Sequence, residues 1–192
     1  MMYTPLHVVT FIRDALQAMF AEYGGENFAW NSDRKQSKID IGTVNDLHKD
    51  SDRHKTARVL VQRGAAMTQT LSLSDNLNET INGGIARGGS RKHRQDIQGT
   101  INIIVEARQE GTCEEVAEFT RRFICWSKPY IEKQFGFQAF AKQLSVSECM
   151  MDREDTEKFK ITINIPFIVE DHWQVSGDLI KINHIFNQLT KT

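Results

Sequence analysis

Two long runs of alternating apolar and polar residues, separated by one helical stretch, constrain this chain more than any other feature. In the first, Ile97, Ile101, Ile103 and Val105 alternate with Gln98, Thr100, Asn102 and Glu106. A period of two buries one face of a strand and leaves the other to solvent. The second run, Phe159, Ile161, Ile163, Ile165, Phe167 and Val169, is equally regular. Between them Val116, Phe119, Phe123 and Ile124 recur at three- and four-residue steps, the signature of one helix face. Gly111 ends the first run, and Thr112 precedes Glu115 at the spacing of an N-terminal capping box. Pro129 is expected to kink or end the helix, with one more turn over Tyr130–Phe135 before Gly136. Leu144 and Val146 mark a strand, and Met151–Lys158 an acidic turn. Pro166 lacks a ladder donor, which places the last strand at or near a sheet edge, or at a bulge.

The N-terminal part predicts a helix over about residues 5–23. Thr4-Pro5 is a cap followed by proline at the first helical position, and Val8 or Val9, Ile12, Leu16, Met19 and Phe20 form the buried stripe. Gly24-Gly25 supply a left-handed stop. Phe28, Trp30, Ile39, Ile41 and Val44 indicate one or two short strands around a polar turn, Asn31 to Lys38. Residues 45–56 read as a solvated loop. From Ala57 to Asp75 the chain is extended, with Gly64 at the turn or bulge of a hairpin. Residues 76–96 form a flexible, glycine-rich insertion that is the most basic part of the chain. Residues 177–192 read as a short amphipathic helix or as a tail that docks on a neighbouring subunit. The whole is expected to be one α+β domain over residues 1–192, a mixed, mostly antiparallel sheet flanked by the N-terminal and central helices.

With 192 residues and a net charge of −1, the composition is that of a globular chain, not of a disordered one or a general nucleic-acid coat. No apolar run approaches the ~18 residues of a membrane span. The start, Met1 to Leu6, lacks the regions of a signal peptide. The cysteines, Cys113, Cys125 and Cys149, are odd in number and lack CxxC spacing, which argues against a disulfide framework or zinc knuckle and for a reducing compartment.

Tests for chemistry return little. Gly83 and Gly88 are spaced as in a phosphate-binding loop, but Gly89 and Ser90 stand where lysine and its partner belong, and Arg91–Arg94 replaces the apolar helix. The basic residues Arg87, Arg91, Lys92, His93 and Arg94 could contact phosphates, with salt-dependent affinity, or simply decorate a surface loop. His48, Asp50, Asp52 and His54 could ligate a metal, though mixed polar runs of this kind are usually loops. Cys125, between Ile124 and Trp126, reads as buried apolar filler. Cys113, beside a helix N-terminus, is a candidate for a lowered pKa but has no base beside it in sequence. Asp152, Glu154, Asp155 and Glu157, interleaved with Arg153 and Lys158, read as a solvated hairpin tip. No catalytic, cofactor-binding or metal residues are assigned.

The order of elements resembles the tail terminator (tail completion) proteins of tailed bacteriophages. The likeness runs through an N-terminal helix, a hairpin, Gly99-Thr100-Ile101-Asn102-Ile103, an acidic helix led by Glu114, Glu115 and Ala117, a Gly136-Phe137 turn, and two final strands ending at Glu170–Trp173. It covers roughly residues 95–175, and Ser32–Lys55 and the basic insertion depart from a compact member. The resemblance implies a non-enzymatic virion protein, assembled in the host cytoplasm, with a mixed sheet flanked by helices. It implies a homo-oligomer, usually a hexameric ring, that caps the tail tube, meets the head connector and neck proteins, and lies where packaged DNA passes. On this reading Arg87, Arg91, Lys92, His93 and Arg94 face the lumen or the next ring, and Asp152, Glu154, Asp155 and Glu157 contact a neighbouring subunit. Competing readings are another head–tail neck component, a small nucleic-acid-binding module using the basic arm, and a metal enzyme built on the 48–54 run.

Overall fold

The computed structural model describes residues 5–33, 35–43, 56–69, 79–81, 90–152 and 157–175 of the chain, with side chains over 7–33, 35–43, 56–66, 96–152 and 157–169. It is an α+β fold with a mixed, mostly antiparallel sheet, as the alternation of periods predicts. The elements are α1 (Pro5–Tyr23), α2 (Gly25–Phe28), β1 (Ile39–Thr43), β2 (Ala57–Gln69), β3 (Glu79–Ile81), β4 (Ser90–Ala107), α3 (Glu110–Phe135), β5 (Phe137–Phe140), β6 (Ser145–Val146), β7 (Met150–Met151) and β8 (Phe159–Val175).

The chain divides into two compact units. The first comprises Tyr3–Ala66 and Gly99–Ile168, the second Met67–Gln98 and Val169–Thr192. The strands run in the order β1-β2-β4-β8-β5, and β6 and β7 also pair with β8. β1 and β2 are parallel, with Ile39 opposite Ala57 and Thr43 opposite Val61. A parallel pair needs a crossover connection, which residues 44–56 are long enough to supply. In the second unit β3 pairs antiparallel with the start of β4, Glu79 opposite Lys92.

The core of the first unit lies between one sheet face and the two long helices. Ile101, Ile103 and Val105 on β4 and Ile163 and Ile165 on β8 are fully buried, while their even-numbered neighbours Thr100, Asn102, Thr162 and Asn164 are half-exposed. The stripe of α1, from Val8 to Phe20, is buried throughout. The helices meet through edge-to-face aromatic pairs, Phe20–Phe119 at 5.3 Å and Phe11–Phe135 at 4.6 Å. Such pairs add about 0.5–1.5 kcal/mol each to simple burial.

The outer side of β1 is satisfied by side chains. Gln17 Nε2 donates to the Ile41 carbonyl at 2.9 Å, and Ser37 Oγ donates to the Ile39 carbonyl at 2.7 Å. Ser37 Oγ also accepts from the Asn31 N–H at 3.1 Å, holding the polar turn that the sequence places there. That turn is preceded by the one-turn α2, so β1 is the single strand of this region. Gly24 is a close-approach position, where an added Cβ would collide with the Phe20 and Phe28 carbonyl oxygens. Gly25, at φ +60°, supplies the left-handed residue.

Two sequence expectations are corrected, at Gly64 and at the start of α3, and two are narrowed, at Pro129 and Pro166. β2 passes straight through Gly64 with no hairpin: an added Cβ there would strike Thr100 Oγ1 on β4, so the glycine serves cross-strand contact, not reversal. α3 begins at Glu110 with Gln109 at the cap and no capping side-chain bond, so Thr112 lies inside the first turn and no capping box forms. The helix continues through Pro129 to Phe135 and closes on Gly136 at φ 64°, whose N–H bonds the Glu132 carbonyl. β8 lies near a sheet edge, as Pro166 indicates, with only the short strands β5, β6 and β7 beyond it. The Pro166 carbonyl accepts from the Ala141 N–H at 2.9 Å, so its donor-less nitrogen points to the same side. There the partner changes from β5 to β6 through the turn at Ala141–Gln143, and no ladder donor is missed.

Candidate interaction surfaces

α3 presents two kinds of surface because its apolar stripe is wider than the sheet can cover. Val116, Ala117, Thr120, Ile124 and Ile131 turn inward, whereas Phe119 and Phe123 are only half-buried and Trp126 is 80% exposed. With Met19 and Tyr23 of α1 these aromatic residues line an open groove of about 640 Å³ between the helices. The rim carries Glu22 and Arg122 and no nucleophile. Glu118, one turn away, accepts from Arg121 Nε at 2.7 Å and Nη2 at 2.8 Å and from Arg122 Nε at 2.7 Å. These bonds from Arg121 and Arg122 hold its carboxyl at about 2.

A second apolar surface lies along β6 and β7, where Val146, Met150 and Met151 are 43%, 60% and 54% exposed. It runs into the acidic hairpin, which closes with the Asp152 N–H donating to the Lys158 carbonyl at 2.7 Å. Glu157 is exposed in that turn, and Glu154 and Asp155 lie outside the described residues.

The basic run does not form one loop. Ser90 to Asp96 belongs to β4, with Arg91 opposite Thr80 and Lys92 opposite Glu79 on β3. His93 and Arg94 continue the same strand, and Arg87 lies outside the described residues. So do His48, Asp50, Asp52, His54, the glycines Gly83, Gly88 and Gly89, and the 177–192 tail.

Sequence reasoning missed a charged row across three strands. Asp40 stands beside Arg58 in the parallel register, and Arg58 Nη1 lies 3.7 Å from Glu106 Oε2, with side chains 17% and 12% exposed. The odd spacing of single charges within three separate apolar strands was its only trace in the sequence. The adjoining cavity, lined by Arg58, Glu106 and Lys158, holds about 20 Å³, room for roughly one water and no substrate. The row is therefore a pairing device of the sheet.

The cysteines are placed the other way round from the sequence reading. Cys125 is exposed, and Cys113 is fully buried. Burial pushes the Cys113 thiol up to about 12 instead of lowering it. Among the described residues no group of three or more His, Cys, Asp or Glu side chains is placed to hold a metal ion. Nor is any described helix long and apolar enough to cross a membrane. No protein-family model matches this chain, and no curated protein matches it.

Proposed function

We propose that this chain is a structural virion protein of the tail-terminator kind, one subunit of a ring that caps the tail tube and joins it to the head connector. The observation that carries the reading is the pair of unlike apolar surfaces on one unit: a concave aromatic groove between α1 and α3, and a methionine-bearing edge at β6–β7. A ring grows through heterologous contacts, in which one face of a subunit meets a different face of the next. The order of α1, β4, α3 and β8 supports the same reading through its resemblance to that family. In the ring, the acidic hairpin around Asp152 and Glu157 contacts the neighbour, and the basic start of β4 faces passing DNA or the adjoining ring.

The test is the mass of the purified chain in solution over a range of concentrations, with negative-stain images of the same samples. Closed rings with a central hole are expected. A monomer or a compact dimer at every concentration refutes the self-closing ring. A second reading, nucleic-acid binding, is favoured by the pairing of the basic run into the β3/β4 ribbon, since a two-stranded ribbon fits the DNA major groove. It requires DNA affinity that falls steeply with salt and is lost when Arg87, Arg91, Lys92 and Arg94 are neutralised together.

A further inference from the structure

The groove between α1 and α3 is longer than its aromatic part, and its far end is acidic. Ala15 and Ala18 on α1 are too small to fill the space in front of Phe119, Phe123 and Trp126, so the cleft stays open. Past Phe119 it runs into a second hollow of about 440 Å³, walled by Glu26, Asn27 and Glu115, which shares Tyr23, Phe119 and Arg122 with the first. Among the described residues the two hollows are lined by four carboxylates, Glu22, Glu26, Glu115 and Glu118, and one guanidinium, Arg122. On α3 the lining extends from Glu115 to Trp126, about 16 Å at the rise of a helix. The shape fits a rod of that length, apolar on one side and carrying positive charge.

One stretch of this sequence has those properties. In residues 178–191, which lie outside the described part, Leu179, Ile182, Phe186 and Leu189 follow at steps of three, four and three, the spacing of one helix face. From Leu179 to Leu189 such a face measures about 15 Å, close to the length of the groove. Lys181, His184 and Lys191 stand against the single carboxylate of Asp178, a balance opposite in sign to that of the lining. We propose that residues 178–191 of one copy of this chain bind, as an amphipathic helix, in the α1/α3 groove of a second copy. The apolar face packs on Phe119, Phe123 and Trp126, and the lysines lie toward Glu22, Glu26 and Glu115. A second copy is the source because β8 carries the chain away from its own groove. The strand starts beside the first turns of α3, where the Phe159 carbonyl oxygen lies 3.6 Å from Cys113 Sγ. It passes the other end of the helix, where Phe167 meets Phe137 at 5.5 Å, and the chain leaves the first unit after Ile168. β8 continues to Val175, and Ser176 and Gly177 alone then precede the segment. The inference deepens the ring reading and rests with it on the groove as a contact between copies, but two copies are enough for it.

The test uses the full chain with a photoreactive benzophenone side chain in place of the exposed Trp126, irradiated and read by denaturing gel and peptide mapping. The expected product is a covalent dimer whose cross-linked peptide joins position 126 to residues 178–191. Phe186→Glu should lower its yield by about tenfold, the effect of losing one buried aromatic anchor. The same probe at the exposed Glu22 should reach the same segment, and it decides alone if the chain altered at position 126 fails to fold. A cross-link confined to one chain, a dimer joined through Val146–Met151 or any other segment, no cross-linked product, or a yield indifferent to Phe186→Glu overturns the proposal. Light scattering on the same samples separates it from the ring. The expected link found in dimers or open chains upholds the proposal without a ring, whereas rings that lack the link overturn it and leave the ring standing.

Discussion

Gly99 is the position where one added methyl group tests the packing of the sheet most directly. It lies on β4, and a Cβ built there would stand 2.5 Å from Cζ and 2.9 Å from Cε1 of Phe167 on β8. Phe167 is 2% exposed, and its ring lies 5.5 Å from that of Phe137, which in turn lies 5.4 Å from Phe140. The ring therefore cannot yield toward solvent without disturbing a buried aromatic row. Forcing a methyl into a filled core costs about 1–3 kcal/mol. Replacing glycine restores about 0.4–1 kcal/mol by restricting the unfolded chain. Gly99→Ala should thus lose about 1–2 kcal/mol net, and the melting midpoint should fall by roughly 2–8 °C for a chain of this size. Urea unfolding followed by tryptophan fluorescence and circular dichroism measures the loss. Phe167→Leu removes the atoms that the methyl strikes. The double variant should therefore be less destabilised than the two single losses added together, by about 1 kcal/mol. A neutral or stabilised Gly99→Ala protein, or additivity within about 0.5 kcal/mol, would refute the contact.

Trp126→Glu should leave folding stability within about 0.5 kcal/mol, because the indole is 80% exposed. It should abolish species heavier than a monomer, and persistent rings by light scattering would remove the groove from the interface. Glu118 is held below its unfolded value by Arg121 and Arg122, to about 2. Its contribution is therefore present above about 4.5 and lost as pH falls through about 2. The stability gap between wild type and Glu118→Gln, small because water screens the pairing, should close over that window in urea titrations, and a gap that widens toward acid contradicts the assignment. Thr120 is fully buried with its hydroxyl oxygen unbonded. Thr120→Val should be neutral or stabilising by up to about 2 kcal/mol, and a loss above about 1 kcal/mol in urea unfolding would show that the hydroxyl has a partner.

The elements that the sequence made legible are those with long, unbroken periods. The stripe from Val8 to Phe20 yields α1 at Pro5–Tyr23, and the isoleucine alternations yield the buried parts of β4 and β8. What escaped depends on a neighbour far away in sequence. Gly64 resembles a turn until Thr100 is seen to occupy the space a side chain would take. Pro166 places β8 near an edge, but the sequence does not show that β5 gives way to β6 beside its nitrogen. Cys125 looks buried because it follows Ile124, yet the helical period turns it outward while Ile124 goes in. The groove was half legible, since the aromatic residues stood at helical spacing, but their excess over what the sheet can cover is a property of the packed structure. The charged row joins residues whose registers no local pattern encodes.

The two side-chain bonds onto β1 have a consequence for how such a molecule adds to others. A sheet edge with idle carbonyls invites a further strand, and a row of such edges extends without limit. Here the Ile39 and Ile41 carbonyls already hold Ser37 and Gln17, so an arriving strand must first dislodge both. The opposite margin is broken into the short segments β5, β6 and β7. Among the described residues of the first unit, the sheet is thus guarded at β1 and interrupted at the opposite margin, so a strand added at either place gains few ladder bonds. Contacts between copies at these two margins are therefore left to side chains rather than to a continued ladder.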